Sequence, residues 1–219
     1  MGGLNSSGSS KSLRQLLFPQ GFDGRVMDLV LETWKEFSLH NQVRLETHIT
    51  AVFRDALIEA YVKAGRKWFI SLEDPITDPD FGTETGRNDL RFYPPDHSGQ
   101  KIFFTLECKR LRVRTKSGFK HLADEYVSKG MQRFIDGTYS AGLPYCGMLG
   151  YVMDNCVDDS FQSIQQEIKK RAINLKMKKK KSICTPSSIL PSHRYSLDTF
   201  HICSDGELTI RHLLVGVTR

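Results

Sequence analysis

No two cysteines stand at C-x-x-C spacing: Cys108, Cys146, Cys156, Cys184 and Cys203 form an odd, irregular set of five. That spacing argues against a thiolate zinc site and a disulfide framework, and for a reducing cytoplasm. No apolar run approaches the length of a membrane span, and the first residues lack the charged-then-apolar order of a secretory signal. A Gly-rich phosphate loop, G-x-S-x-G and H-E-x-x-H are all missing, which removes the NTPases, α/β-hydrolases and zincins those signatures mark. The seven histidines are scattered, so no imidazole cluster is available for a metal or a His-based nuclease. There is no internal repeat. Met1-Gly2-Gly3-Leu4-Asn5-Ser6 fits the myristoylation pattern, but so short a pattern is often met by chance. With the Ser/Gly run behind it, the segment is read as a flexible leader.

What is present is an ordinary soluble composition in 219 residues with a net charge of +6. The length suits one domain with a proper core, and the charge tilts encounters towards polyanions. Residues 1–22 read as the leader, with a short docking segment at Leu13, Leu16, Leu17 and Phe18. Apolar spacing predicts helices over Val26–Phe37 and Asn41–Ala64, the second with a stripe from Leu45 through Ile49, Val52, Phe53 and Leu57 to Tyr61. Glu46 falls within that stripe. Lys67–Leu72 reads as a strand, and the proline- and acid-rich 73–82 as a loop. After the central stretch come a basic segment (Arg110, Arg112, Arg114, Lys116, Lys120) and a helix over His121–Tyr139 loosened by Gly130 and Gly137. A buried strand over Pro144–Val152 and a helix from Asp158 to about Met177 follow, the helix capped by Asp158 or Asp159 and ending in lysines. Residues 182–191 read as linker. Arg194–Cys203 and Glu207–Val215 then form a hairpin across Ser204-Asp205-Gly206. The whole is a mixed α/β layer architecture.

The chain is organised around residues 86–110, GRNDLRFYPPDHSGQKIFFTLECKR, two strands joined by a turn-rich connector. Glu107 and Lys109, two apart on a strand, project to one face, and Cys108 to the other. A hairpin-like return brings Asp89 beside them. Two carboxylates and an ammonium gathered on a sheet are costly unless they bind something. Hard cations such as Mg²⁺ take carboxylates, waters and substrate phosphate. Asp89 and Glu107 could supply the carboxylates, the Cys108 carbonyl a third ligand, and Lys109 the group that holds the attacking water or stabilises charge on phosphorus.

On those residues the chain resembles the PD-(D/E)xK, restriction-endonuclease-like nuclease superfamily. Asp89 matches the first acid, and Glu107-Cys108-Lys109, led in by Ile102-Phe103-Phe104-Thr105-Leu106, matches the E-x-K element. Glu46 matches the extra acid many members carry on the helix before the sheet. Asn88 stands where the family name has proline, and the literal Pro79-Asp80 leaves Asp80 as a weak rival. Gln132 is similar to the extra glutamine of some relatives, although the Q-x-x-x-Y spacing is missing because position 136 is Asp136.

The resemblance implies an αβββαβ core over about 40–155 with an extra N-terminal helical segment. The single domain then runs 23–219, with the C-terminal helix and hairpin (156–219) as an elaboration. It implies a nuclease that uses Mg²⁺ or Mn²⁺ to hydrolyse DNA, with Asp89 and Glu107 as ligands, Lys109 serving the water, and Glu46 and Gln132 as auxiliaries. By their charge alone, Arg110, Arg112 and Arg114 are either phosphate contacts flanking the scissile site or a solvated charged face. The implied setting is cytoplasmic restriction or anti-phage defence with a partner protein or as a homodimer. An idle nuclease-fold subunit that binds nucleic acid or protein is the competing expectation, and an RNA-directed nuclease a third.

Overall fold

The structure, a computed structural model, describes residues 13–39, 45–65, 68–77, 84–95, 102–139, 142–178 and 183–217, by backbone alone at 73–77 and 84–88. In chain order the elements are α1 (Leu13–Leu17), α2 (Phe22–Glu36), α3 (Glu46–Lys63), β1 (Phe69–Thr77), β2 (Glu84–Tyr93) and β3 (Phe104–Leu111). A two-stranded hairpin, β4 (Val113–Thr115) and β5 (Gly118–Lys120), precedes one irregular helix: α4 (Ala123–Glu125), a π-helical segment (Tyr126–Met131) and α5 (Gln132–Ile135). Then come β6 (Tyr145–Val152), α6 (Val157–Lys170), β7 (Thr185–Pro186), β8 (Ser196–Cys203) and β9 (Gly206–Gly216).

Seven strands form one mixed sheet in the order β1-β2-β3-β6-β9-β8-β7. β1, β2 and β3 are antiparallel neighbours, β3–β6 and β6–β9 are parallel, and β9–β8 is antiparallel. Because side chains alternate along a strand, β6 feeds two layers. Leu149 and Tyr151 join Ile49, Phe53, Leu57, Phe104 and Cys108 under α2 and α3, whereas Cys146, Met148 and Val152 join Tyr126, Met131, Ile164 and Ile168 under the π-helical segment and α6. A parallel strand covered on both faces reads as an unbroken apolar run, as PYCGMLGYV does.

Several expectations change. The domain does not begin at residue 23: Phe18 and Phe22 are buried, against Tyr145 and Trp68 respectively. Of the supposed docking segment only Phe18 docks, since Leu13, Leu16 and Leu17 are exposed. In α3 the buried stripe narrows to Ile49, Thr50, Phe53 and Leu57, with Leu45 and Val52 outside. β1 continues through 73–77, read as loop, and Pro75 keeps register with Arg87. Proline is tolerated there because an edge strand turns half its N–H groups away from the sheet. Helix α6 is preceded by Cys156 without a side-chain cap, and Asp158 and Asp159 instead pair with Arg194 and Arg112. It ends at Lys170, leaving Ile173 exposed. The linker contains β7 and the buried Leu190.

The C-terminal hairpin extends the same sheet beyond β6. Its β9 strand lies in the middle of the sheet beside β6. It is tied to the start of the chain by Arg211, whose guanidinium holds Asp23 at 2.8 Å and Asp198 at 2.7 Å, all three buried. Removing one member of a buried ion network strands the others. Arg211→Ala is therefore expected to destabilise the fold by about 3–5 kcal/mol, read from urea midpoints.

Under the π-helical segment lies a buried hydrogen-bond chain. His201 Nδ1 meets the Leu175 carbonyl at 2.6 Å, so this nitrogen carries the proton and Nε2 accepts from Thr199. Thr199 Oγ1 then accepts from His212 Nε2 at 3.0 Å, and His212 Nδ1 accepts from the Tyr126 hydroxyl at 3.0 Å. Burial pushes His201 down to about 4; burial and the neighbouring His201 push His212 down to about 3. Both rings stay neutral in the fold but protonate near 6.5 once unfolded. Their stabilisation is thus complete above that value and is lost as pH falls from about 6.5 towards 3–4. A urea-midpoint titration is expected to slope accordingly, and nitrogen NMR to show the two tautomers unchanged at pH 5.

Candidate functional site

The site lies where β2 and β3 part. Their ladder runs Phe92↔Phe104, Arg91↔Thr105 and Leu90↔Leu106 and then stops, while the other edge of β3 stays paired to β6 through Leu111↔Val152. On the opened edge the backbone N–H groups of Cys108 and Arg110 need acceptors, and two carboxylates provide them. Asp89 Oδ2 accepts from Cys108 N at 2.7 Å, and Glu46 Oε2 accepts from Arg110 N at 2.7 Å. Glu46 can reach because it is the first residue of α3, where an acid also suits the helix dipole. It opens the helix; it does not interrupt an apolar stripe.

The Lys109 ammonium stands among three carboxylates from three elements: 2.8 Å from Glu107 Oε1, 3.1 Å from Glu46 Oε1 and 3.9 Å from Asp89 Oδ2. It also donates to the Cys108 carbonyl at 3.0 Å, which turns that oxygen towards the site. The Cys108 thiol lies in the opposite, α3-side layer, where burial pushes it well above its ordinary value.

Glu107 is the unusual member. It is 1% exposed; Lys109 stands 2.8 Å from Oε1, and Oε2 has no hydrogen-bond partner among the described residues. Burial, reinforced by Asp89, pushes it up to about 8. Asp89 is raised too, chiefly by burial and against the pull of Lys109. Burial would lower Lys109, but Glu107, Asp89 and Glu46 outweigh it and hold the ammonium well above its usual range. In the metal-free site Lys109 is therefore a donor and a positive charge.

The sequence-predicted quartet Asp89, Glu107, Lys109 and Glu46 comes together. Other candidates do not join it. The Gln132 amide bonds Asp136 on its own helix at 2.8 Å. Its neighbour Arg133 takes the place expected of it, 3.6 Å from Glu107 Oε1 and over the Tyr139 ring, whose hydroxyl accepts a bond from the guanidinium. No motif or spacing in the sequence singles out Arg133. Arg112 is no open phosphate contact: Asp154 at 2.7 Å and Asp159 at 3.0 Å hold it. Arg110 serves through its backbone N–H, and Arg114 is exposed on the β4–β5 hairpin. Asp80 lies outside the described residues.

The π-helical segment brings helix and strand together. A Cβ at Gly130 would run into the Met148 methyl and touch the Lys109 stem at 3.7 Å, so glycine lets the helix roof the lysine closely.

Among the described residues, no three carboxylate, thiol or imidazole groups are close enough to form a ready-made metal cage. The oxygen donors of Asp89, Glu107 and the Cys108 carbonyl nevertheless suit a hard divalent cation, and the buried Glu107 Oε2, without a hydrogen-bond partner among the described residues, is what such an ion would satisfy. Comparisons with protein-family models, with curated proteins and with solved structures each return no match. No helix among the described residues is long and apolar enough to cross a membrane.

Proposed function

We propose that this protein is a Mg²⁺- or Mn²⁺-dependent nuclease with a restriction-endonuclease-like core, hydrolysing DNA phosphodiesters by direct attack of water. The carrying observation is the buried Glu107 carboxyl beside Asp89, with Lys109 between them and Glu107 Oε2 lacking a hydrogen-bond partner among the described residues. The element order supports the reading: a helix bearing Glu46, three antiparallel strands, a helix, then a strand parallel to the third.

Asp89, Glu107 and the Cys108 carbonyl would hold the ion. When bound, it supplies charge neutralisation and a water of lowered pKa. Lys109 would hold the attacking water and stabilise the negative charge of its oxygen, the water's proton passing to bulk solvent. Arg133 sits where a second cation can meet charge developing on the phosphoryl oxygens. Glu46 keeps Lys109 and β3 in position. Restriction or anti-phage defence, with a partner or as a dimer, is the setting the resemblance suggests.

The test is cleavage of supercoiled plasmid, single-stranded DNA and RNA with Mg²⁺ or Mn²⁺. Asp89→Asn is the informative variant because it keeps an acceptor for Cys108 N. It should abolish cleavage while the protein stays folded. Full activity in that variant removes the assignment. A second reading, an idle nuclease-fold binding subunit, is favoured by one feature: the Lys109 ammonium already lies among the carboxylates where a cation would go. Calorimetric titration showing no Mg²⁺ or Mn²⁺ binding would select it.

A further inference from the structure

Three residues after Lys109, Arg112 takes a left-handed backbone (φ 51°) and turns the chain out of the main sheet. The excursion closes where it began, with Arg112 N bonded to the His121 carbonyl at 3.1 Å. Between these points the β4–β5 hairpin pairs Val113↔Lys120, Arg114↔Phe119 and Thr115↔Gly118. Residues 114–120 are all exposed. A hairpin of three-residue strands that buries so little contributes little to the core and would not persist alone.

Its composition is one-sided. From Arg112 to His121 there are four Lys/Arg residues and no acid. Two of these cations are committed, Arg112 to Asp154 and Lys120 to Glu125 at 2.8 Å. Arg114 and Lys116 make no ion pair or side-chain hydrogen bond with any described residue. Phe119, cross-strand from Arg114 and so on the same face, is 48% exposed and held beneath the Arg112 guanidinium at 5.3 Å. A pinned, exposed ring flanked by uncommitted cations is how proteins take single-stranded nucleic acid: bases stack on the ring and phosphates meet the cations. The hairpin leaves from the strand carrying Glu107 and Lys109 and returns to the helix carrying Arg133.

We infer that the β4–β5 hairpin is a clamp for single-stranded nucleic acid, with Phe119 as stacking platform and Arg114 and Lys116 as phosphate contacts. This rests on the nuclease reading for its purpose, but its chemistry can be tested without cleavage.

The experiment measures fluorescence anisotropy of labelled twelve-nucleotide dT and rU strands, a DNA duplex and poly-glutamate with the full chain in EDTA. Wild type should bind the single strands more tightly than the duplex. Phe119→Ala should weaken strand binding by about tenfold. Arg114→Ala/Lys116→Ala should weaken it comparably and lower the log–log salt slope by about 1.4. All these positions are exposed, so thermal midpoints should not move. No strand binding by wild type, unchanged affinity in both variants, or poly-glutamate binding as tightly as dT would each overturn the clamp. Cleavage in Mg²⁺ is scored separately. Variants that lose binding in a protein that never cuts leave the clamp standing and remove the nuclease; variants that bind and cut like wild type do the reverse.

Discussion

Lys109→Met is expected to abolish cleavage while tightening divalent-metal binding. The ammonium is the positive charge shared by Glu107, Glu46 and Asp89, at 2.8, 3.1 and 3.9 Å. Its loss removes the donor that stabilises the attacking oxygen, a deficit of about 10²–10³ in turnover or more. The same loss leaves Glu46 and Asp89 without an ion-pair partner among the described residues, and Glu107 with Arg133 alone at 3.6 Å. Two unit charges near a protein surface exchange up to ~4 kcal/mol at 4 Å. Even part of that makes Mg²⁺ binding at least about tenfold tighter by calorimetry. In EDTA the variant should be less stable by about 3–5 kcal/mol, because the acids are left uncompensated, and Mg²⁺ should restore its melting temperature. Retained cleavage, or weaker metal binding, would sink the assignment of Lys109.

Glu107→Gln is expected to cost activity and raise stability, and the size of the gain should depend on pH. Below about 4.5 the carboxyl is protonated in both folded and unfolded chains and contributes no difference. Because its folded value lies near 8, the folded protein holds a proton that the unfolded chain has released between these limits, so stability falls as pH rises from about 4.5 to 8. Glutamine carries no charge and escapes that penalty. The variant should therefore match wild type at pH 4, gain steadily to pH 8 and level off above. The plateau should be worth up to about 5 kcal/mol, the rise from 4.5 to about 8 at about 1.4 kcal/mol per pH unit, or about 2–4 °C for each kcal/mol at this chain length. Cleavage should be lost throughout. Stability conceded at one residue for activity is the usual sign of a built site. A melting temperature that falls on substitution at pH 8 would show that Glu107 serves the fold.

Two patterns were legible along the chain. Alternation put Glu107 and Lys109 on one face, and the geometry agrees. The unbroken apolar run of 144–152 anticipated a strand covered on both sides. Other patterns misled for identifiable reasons. Periodicity cannot see where a helix starts, so Glu46 looked like a flaw in an apolar stripe when it is the first residue of α3. Proline suggested a loop at 73–77 because composition does not say that a strand is an edge. Gln132 drew notice by resemblance, while Arg133 had no signal of its own; only the fold brings it to 3.6 Å from Glu107.

The residue types, the strand that carries Glu107 and Lys109, and the mixed α/β class are set by the order of side chains, because burial alternates along a strand and recurs along a helix. Where β2 and β3 separate is not encoded locally. Packing of distant segments decides it, and it leaves the Cys108 and Arg110 N–H groups facing the opened edge. Asp89 and Glu46 fill those two positions, and that is why residues so far apart in the chain meet around one lysine.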